Sequence, residues 1–249
     1  MVYDLSYYLP VSDAATRSAG RVFAVLTGDI VGSRRLSAEG LQRTRRLLAD
    51  GAARFRRRQP RALCGVPEVF RGDAWQLLLR EPRWALRLAL LVQALLLAGN
   101  DVRTRISIGI GAVEVINRRR ISVSTGEAFM LSGHALDHIT GYFDLTGALP
   151  DRAAPLSGWF PAMLHLCSGL VRPWTRRQAE IVSLALLSAN PTHESIAASL
   201  RPRVSKQSVT ESLAAARWRP LLDAMRVCEE TDWERLLAGP GSADRVTAG

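Results

Sequence analysis

The sequence predicts an α+β protein, with a ferredoxin-like βαββαβ sheet domain followed by an all-α helix-turn-helix domain. Apolar β-rich segments alternate with helical periodicity in the order β-α-β-β-α-β up to residue 140. A stretch rich in Pro, Gly and Ala then marks a boundary, and beyond it the apolar residues recur at helical spacing. The predicted segments are a flexible leader at residues 1–20, the sheet domain at 21–148, a linker and connecting helix at 149–172, the helix-turn-helix domain at 173–237 and a disordered tail at 238–249.

Each element of the sheet domain is predicted from the spacing of its apolar residues or from its turn residues. The expected elements are, in chain order, a buried strand at residues 21–30, a helix ending at the arginine-rich residues 56–61, a β-hairpin at 66–79, an apolar helix at 83–98, an alternating strand at 103–116, a short strand at 121–124 and a helix at 127–140. Gly109 and Gly111 within the alternating strand predict the close approach of another backbone.

Composition and length exclude several classes of protein. With 47% hydrophobic and 22% charged residues in a chain of 249, the sequence is neither disordered nor collagen-like. Its three cysteines form no C-x-x-C pair, which excludes a zinc knuckle or a disulfide framework. Residues 1–10 lack a signal-peptide pattern, and the most apolar run, at 88–98, is shorter than the ~20 residues that span a bilayer. We therefore expect a cytoplasmic protein with no membrane partner.

The basic surplus is concentrated in one part of the C-terminal domain. The formal net charge is +10, and residues 172–219 hold eight basic and three acidic side chains, a local charge of +5. Residues 220–249 are instead acidic, with a net charge of −3. A local positive field is what nucleic-acid phosphates select, although solvated arginines give the same composition.

Asp29 and Asp73 are the strongest candidates for a functional site in the sheet domain. Asp29 ends the first predicted strand and Asp73 lies in the hairpin turn, and these two elements are neighbours in the predicted sheet. Two carboxylates that converge at one sheet edge suit two divalent ions bridging a triphosphate. The same residues also commonly cap helices and form turns, so spacing alone leaves both interpretations open.

Four blocks of the sheet domain resemble class III nucleotidyl cyclases, in family order. The D-I-V-G-S of residues 29–33 resembles their metal-binding turn, Gly72-Asp73 their second metal site, residues 105–110 their R-I-x-I-G strand and residues 126–136 their dimer-facing helix. The resemblance implies Mg²⁺ or Mn²⁺ together with a nucleotide. The site residues that it implies are the metal ligands Asp29, Ile30 (through its carbonyl) and Asp73, and the nucleotide-binding residues Gly32, Ser33 and Arg71.

The sequence departs from the cyclases at the positions that carry their chemistry. Val69 and Val123 stand at the two base-reading positions, where valine cannot bind a purine edge. Met130 and His134 stand at the transition-state positions, and a near-neutral histidine is a poor replacement for a permanent guanidinium. We therefore expect no catalysis by the isolated chain. An active cyclase that uses Asp29 and Asp73, with a partner chain supplying the missing groups, is the alternative.

The combination of motifs is similar to the SatD family of small bacterial proteins. It consists of D-I-V-G-S, R-G-D, R-I-S-I-G-I-G and G-E-A-F, followed by a C-terminal segment that resembles a DNA-binding unit. This resemblance implies a cyclase-derived domain that keeps the strand aspartate and the hairpin R-G-D without the full catalytic set. It implies an architecture more than an activity.

Three helices predicted in the C-terminal domain resemble a bacterial helix-turn-helix. Thr175, Thr192 and Ser205 are their expected N-caps, and the signature reads T-x-x-x-I-A-x-x-L followed by V-S-x-x-S-V-T-x-x-L. The loop before the third helix, which contains Arg201-Pro202-Arg203, is longer than is usual for this motif. The predicted DNA-binding residues are Arg203, Ser205, Lys206, Gln207, Thr210 and Arg217.

These patterns favour a cytoplasmic transcriptional regulator that binds double-stranded DNA and whose sheet domain dimerises or senses a nucleotide. A protein-interaction module is a further interpretation, favoured by Glu211, whose carboxylate would face DNA phosphates from the third helix. We expect a homodimer, because the helix at residues 83–98 is apolar on more sides than one sheet face covers.

Overall fold

The structure is a computed structural model that describes residues 15–17, 21–70, 72–188 and 191–238. Arg71 lies outside the described residues, as do most of the predicted leader and the predicted tail from residue 239 onwards. The fold is a mixed α+β arrangement of one five-stranded sheet, one two-stranded sheet and nine α-helices within the described part of the chain.

The five-stranded sheet has the order β3-β4-β2-β5-β7. Its strands are β2 (Val22–Ile30), β3 (Leu63–Phe70), β4 (Ala74–Leu79), β5 (Thr104–Ala112) and β7 (Leu145–Ala148). Neighbours are antiparallel except β5 and β7, which are parallel. A separate two-stranded sheet pairs β1 (Ala15–Arg17), which belongs to the predicted leader, with β6 (Val115–Asn117).

The helices follow the predicted order and are more numerous than the sequence patterns indicate. They are α1 (Ala38–Arg58), α2 (Ala85–Asn100), α3 (Glu127–Asp137), α4 (Leu156–Val171), α5 (Arg176–Leu187), α6 (His193–Ser199), α7 (Lys206–Ala215), α8 (Trp218–Glu230) and α9 (Trp233–Leu237). Ser37 caps α1 by accepting from the Gly40 amide, and Thr175 forms a capping box with Gln178 at the start of α5.

Helices α1 and α2 cover one face of the sheet. Because strand side chains alternate, Ala24, Leu26 and Ile30 of β2 point into the core beneath these two helices. Phe23 and Val25 point the other way, into a smaller apolar cluster that packs against α3. The sheet therefore lies between two layers of helix.

Gly109 lets α3 approach the sheet at backbone distance, as the sequence predicts. A Cβ at Gly109 would lie 2.5 Å from the Ser132 amide nitrogen of α3, far inside van der Waals contact. The same contact is fixed by a hydrogen bond of 2.8 Å between the Thr27 and Ser132 hydroxyls. At Gly111 the close neighbour is the Glu127 side chain rather than a backbone.

The strand predicted at residues 121–124 is instead a short 3-10 turn at Ile121–Val123. Glu68 of β3 holds this turn by side-chain hydrogen bonds. Its carboxylate accepts from both the amide and the hydroxyl of Ser122, each at 2.8 Å. Because the Ser122 amide donates to this side chain, it is not available for a hydrogen bond to a neighbouring strand. The parallel edge strand β7, which the sequence patterns missed, takes the position beside β5.

Helix α2 is covered by the chain itself. It packs on the sheet and against α1, α5 and α8, and its residues from Leu88 to Leu97 are all buried. Among the described residues, the segment Pro82–Asn100 is long and apolar enough to cross a membrane, but 72% of its most apolar window is buried inside the protein. Helix α5 covers apolar residues of α2 that the sheet does not cover. The apolar surface of α2 therefore gives no argument for the predicted homodimer.

The C-terminal helices α4 to α9 share the apolar core of the sheet domain. The core therefore extends across the predicted domain boundary. One cluster of buried apolar side chains runs from Val22 through α2 to Leu237 in α9. Trp174, just before α5, is buried and donates its indole N–H to the Ala216 carbonyl at 2.9 Å. The start of α5 is thereby fixed to the end of α7.

Replacing Gly109 by alanine should destabilise the protein by about 1–3 kcal/mol, because the new methyl group overlaps the α3 backbone. Gly133→Ala is the matched control: Gly133 lies inside α3, where a Cβ would meet nothing outside its own helix within 4 Å, so this change should stabilise by ~0.5–1 kcal/mol. Chemical denaturation measures both, and equal stabilities of the two variants would contradict the close packing.

Candidate functional site: an arginine-rich pocket and the α6–α7 surface

A cavity of about 500 Å³ lies where β2 ends and the β3–β4 hairpin turns. Five of its lining residues are arginines and three are aspartates, so its formal charge is positive. The charged residues are Arg34, Arg35, Arg103, Arg105 and Arg172, with Asp29, Asp73 and Asp144. We call this cavity the arginine pocket.

Asp29 is held by Arg105, its direct partner across the β2–β5 ladder. The guanidinium donates to both carboxylate oxygens, with 2.9 Å between Nε and Oδ1. This hydrogen bonding raises the pKa of Arg105 above its ordinary value. The backbone is fixed as well, because the Thr104 hydroxyl donates to the Asp29 carbonyl at 2.6 Å. Asp29 is therefore part of a charge-assisted pair.

Asp73 reaches the same pocket from the hairpin turn. Its Oδ2 accepts from the Ser33 hydroxyl at 2.5 Å, and Arg45 donates to the neighbouring Gly72 carbonyl at 3.1 Å. Gly32 has a φ of 70°, a left-handed conformation that favours glycine and turns Ser33 towards the hairpin. The structure thus brings together the predicted residues of the strand end and the hairpin, namely Asp29, Ile30, Gly32, Ser33 and Asp73.

As arranged, these donors do not fit a divalent ion. Both oxygens of Asp29 are occupied by Arg105, and one oxygen of Asp73 accepts from Ser33. Mg²⁺ and Mn²⁺ need several free oxygen ligands, and a guanidinium beside the first of them repels a cation. Across the described parts of the chain, no three His, Cys, Asp or Glu side chains converge as a metal-binding group. Metal ligation by Asp29, Ile30 and Asp73 stays a prediction.

Six of the eight charged residues of the pocket wall were not predicted as site residues, and three of the six, Arg103, Asp144 and Arg172, form a cluster of their own. Asp144 is buried, and burial raises the pKa of its carboxyl, while Arg172 and Arg103 act in the opposite direction. Arg172 Nε lies 3.6 Å and Arg103 Nη1 lies 4.0 Å from Asp144 Oδ2. These residues come from the segments before β5 and before β7 and from the end of α4, so local spacing gave no signal. Arg105 lies in the predicted alternating strand, but alternation fixes only the face of a side chain, so its pairing with Asp29 between β2 and β5 also had no local signal.

The residues at the cyclase base-reading and transition-state positions do not line the pocket. Met130 is 68% exposed on α3 and Val123 is 46% exposed in the 3-10 turn. Val69 is half-buried in β3, and the His134 ring packs against His138 with 4.2 Å between centroids. None of the four side chains is therefore placed to contact a ligand in the pocket of its own chain.

A second surface is formed by α6 and α7. The two helices pack through buried Ile196 and Ala197 of α6 and Val209 and Leu213 of α7. Ser205 caps α7 by accepting from the Ser208 amide at 3.1 Å, so its hydroxyl already has a structural partner. The first turn of α7 therefore begins where the sequence predicts and points its polar side chains outward.

The predicted DNA-binding side chains are all exposed on this surface. Lys206 pairs with Glu194 of α6 at 3.0 Å, and Gln207 donates to Glu211 one turn later at 2.9 Å. The Thr210 hydroxyl lies 2.7 Å from the His193 ring nitrogen. Arg203 stands in the loop before α7 and Arg217 at the start of α8, so both flank the helix.

Comparison with known proteins finds similarity among solved structures. No protein-family model matches the chain, and no curated protein matches it. The crystal structure of the guanylyl cyclase Cya2 is similar over 51% of this chain and 75% of that chain, with 18% sequence identity and a TM-score of 0.39.

Proposed function

We propose that this chain is a cytoplasmic DNA-binding transcriptional regulator of the SatD type, with a cyclase-like sheet domain that does not turn nucleotides over. The observation that carries the proposal is the exposed first turn of α7, where Lys206, Gln207 and Thr210 face solvent on a helix packed against α6. Such a second helix, presented by its partner, is what enters a major groove in helix-turn-helix proteins.

We further propose that the sheet domain is ferredoxin-like and that α5, α6 and α7 form a helix-turn-helix. The strand order β3-β4-β2-β5, with every neighbour antiparallel and α1 and α2 on one face, supports the ferredoxin-like arrangement. The succession of α5, α6 and α7, with side-chain caps at Thr175, Thr192 and Ser205, supports the helix-turn-helix.

The charges around α7 suit phosphate contacts. Arg201, Arg203, Arg217 and Arg219 flank it in the loop and at the start of α8, and all are exposed or half-buried. The Lys206–Glu194 pair is about two-thirds exposed at both ends, and such surface pairs contribute only ~0–1 kcal/mol. Lys206 is therefore available to a phosphate at little cost, and a phosphate contact on DNA releases counterions.

Catalysis is not part of the proposal. A two-metal cyclase mechanism needs free carboxylates, whereas Asp29 is neutralised by Arg105. The base-reading and transition-state positions hold Val69, Val123, Met130 and His134, none of which can bind a purine edge or supply a permanent positive charge. The roles that we propose for the sheet domain are therefore dimerisation or the sensing of a nucleotide.

We place the homodimer contact on α4 instead of α2. Trp159 and Leu166 stand seven residues apart, on one face of the helix, and are 71% and 75% exposed. Two large exposed apolar side chains on one helix face favour an interface there, and a two-fold axis would pair that face with itself. Regulators of this type bind two half-sites as dimers.

The full-length protein should bind sheared genomic duplex DNA with an affinity that falls steeply with salt. Arg203→Ala should remove one phosphate contact and reduce the slope of log K against log salt by about 0.9. Fluorescence anisotropy across a salt series measures this slope. The control is Arg226→Ala, which removes an exposed arginine of α8 two helical turns beyond Arg219.

Two results would contradict DNA binding through α7. One is no binding of the full-length protein at low salt, which would favour a protein-interaction module. The other is a slope that changes as much in Arg226→Ala as in Arg203→Ala, which would mean that DNA contacts the chain elsewhere.

Sedimentation equilibrium at micromolar concentration should give twice the chain mass of 27.3 kDa for the wild type. Leu166→Glu should give the monomer mass, because a buried carboxylate would face its own copy across the axis. Met130→Glu changes an equally exposed apolar residue on α3 and should remain a dimer. A monomer caused by Met130→Glu and not by Leu166→Glu would place the interface on α3.

A further inference from the structure

We propose that the arginine pocket binds a di- or triphosphate group directly on its guanidinium groups, without a divalent cation. The Arg105 guanidinium occupies the place beside Asp29 that a metal ion would need. The inference rests on the nucleotide-sensing role proposed above and deepens it, since it names the chemistry of the ligand and the side chains that hold it.

Three arginine side chains of the pocket are more exposed to solvent than two of its aspartate side chains. Its five arginines outnumber its three aspartates. The side chains of Arg103, Arg105 and Arg172 are 38–41% exposed, whereas those of Asp29 and Asp144 are 22% and 11% exposed. A ligand entering from solvent therefore meets guanidinium groups more readily than the carboxylates of Asp29 and Asp144.

The carboxylates hold the arginines in place. Asp29 fixes Arg105 through two hydrogen bonds, and Asp144 attracts Arg103 and Arg172 from behind. A guanidinium has five N–H donors, so one that gives two to a carboxylate keeps others for phosphate oxygens. Arginine's planar fork matches phosphate geometry, and a held arginine loses less freedom on binding.

The size of the pocket suits a short phosphate chain. A volume of about 500 Å³ lies within the ~300–1,000 Å³ typical of small-ligand sites. Arg34 and Arg35, in the 3-10 turn after Gly32, add further positive charge at the rim. The shared chemistry is the phosphate chain itself, which an inorganic polyphosphate or a nucleotide can supply.

Calorimetric titration of the full-length protein with inorganic triphosphate in excess EDTA tests the proposal directly. We expect binding in EDTA, and no tighter binding when Mg²⁺ or Mn²⁺ replaces the chelator. Parallel titrations with ATP and GTP distinguish the sources: equal affinities for all three assign recognition to the phosphates alone, and tighter nucleotide binding adds a contact to the nucleoside. No DNA is present, so the outcome is independent of DNA binding by α7.

Two substitutions separate an anion site from a metal site. Arg105→Gln should weaken triphosphate binding about tenfold or more, because a charge-assisted contact is lost. Asp29→Asn should retain or strengthen binding severalfold, since it frees Arg105, whereas a metal-dependent site would lose binding. Arg58→Gln, at the exposed end of α1, is the control for net charge and should leave the affinity unchanged.

The double variant Asp29→Asn/Arg105→Gln removes both charges without leaving either unpaired, and it keeps the test valid if Arg105→Gln alone fails to fold. It should bind triphosphate as weakly as Arg105→Gln. Binding that requires Mg²⁺ or Mn²⁺ and is abolished by Asp29→Asn would overturn the proposal, as would no binding under either condition.

Discussion

Helix α2 is buried between the sheet and α5, so the strands and the C-terminal helices share one apolar core. Its apolar circumference needs cover on both sides, and the chain supplies it with strands on one side and the C-terminal helices on the other. The same helix positions the pocket, because Gln93 donates from α2 to the Asp144 carbonyl at 3.0 Å. Both proposed sites are therefore positioned by one buried helix.

A short path of contacts joins the two sites. Arg172 faces Asp144 in the pocket, and two residues later Trp174 is hydrogen-bonded to the Ala216 carbonyl at the end of α7. A phosphate that draws Arg172 away from Asp144 would act on the segment from which α5 and α7 are positioned. The geometry thus offers a physical connection between a sensed anion and the proposed DNA-binding helix, with Arg172 as its shared residue.

Local patterns in the sequence predict β2, the hairpin and the three caps, because alternation, turn-forming glycines and capping residues act over a few positions. They locate Asp29 beside Asp73 and the starts of α5 to α7. They do not predict contacts between distant segments. Arg172 and Asp144 meet only because α4 returns to the sheet edge. In the sequence α2 resembles a dimer surface, because α5, the helix that covers it, lies far along the chain. The four-residue strand β7 is too short to be distinguished from a loop by periodicity.

Hydrogen exchange of the full-length protein, with and without sheared genomic duplex DNA at low salt, shows whether DNA binds through α7. The amides at the start of a helix lack intrahelical partners, so they report readily on contact with a ligand. DNA binding through α7 predicts slower exchange in residues 203–210 on adding DNA, with β2 and β5 unchanged. Protection confined to the arginine-rich end of α1, at residues 54–58, or no protection at all, would contradict it.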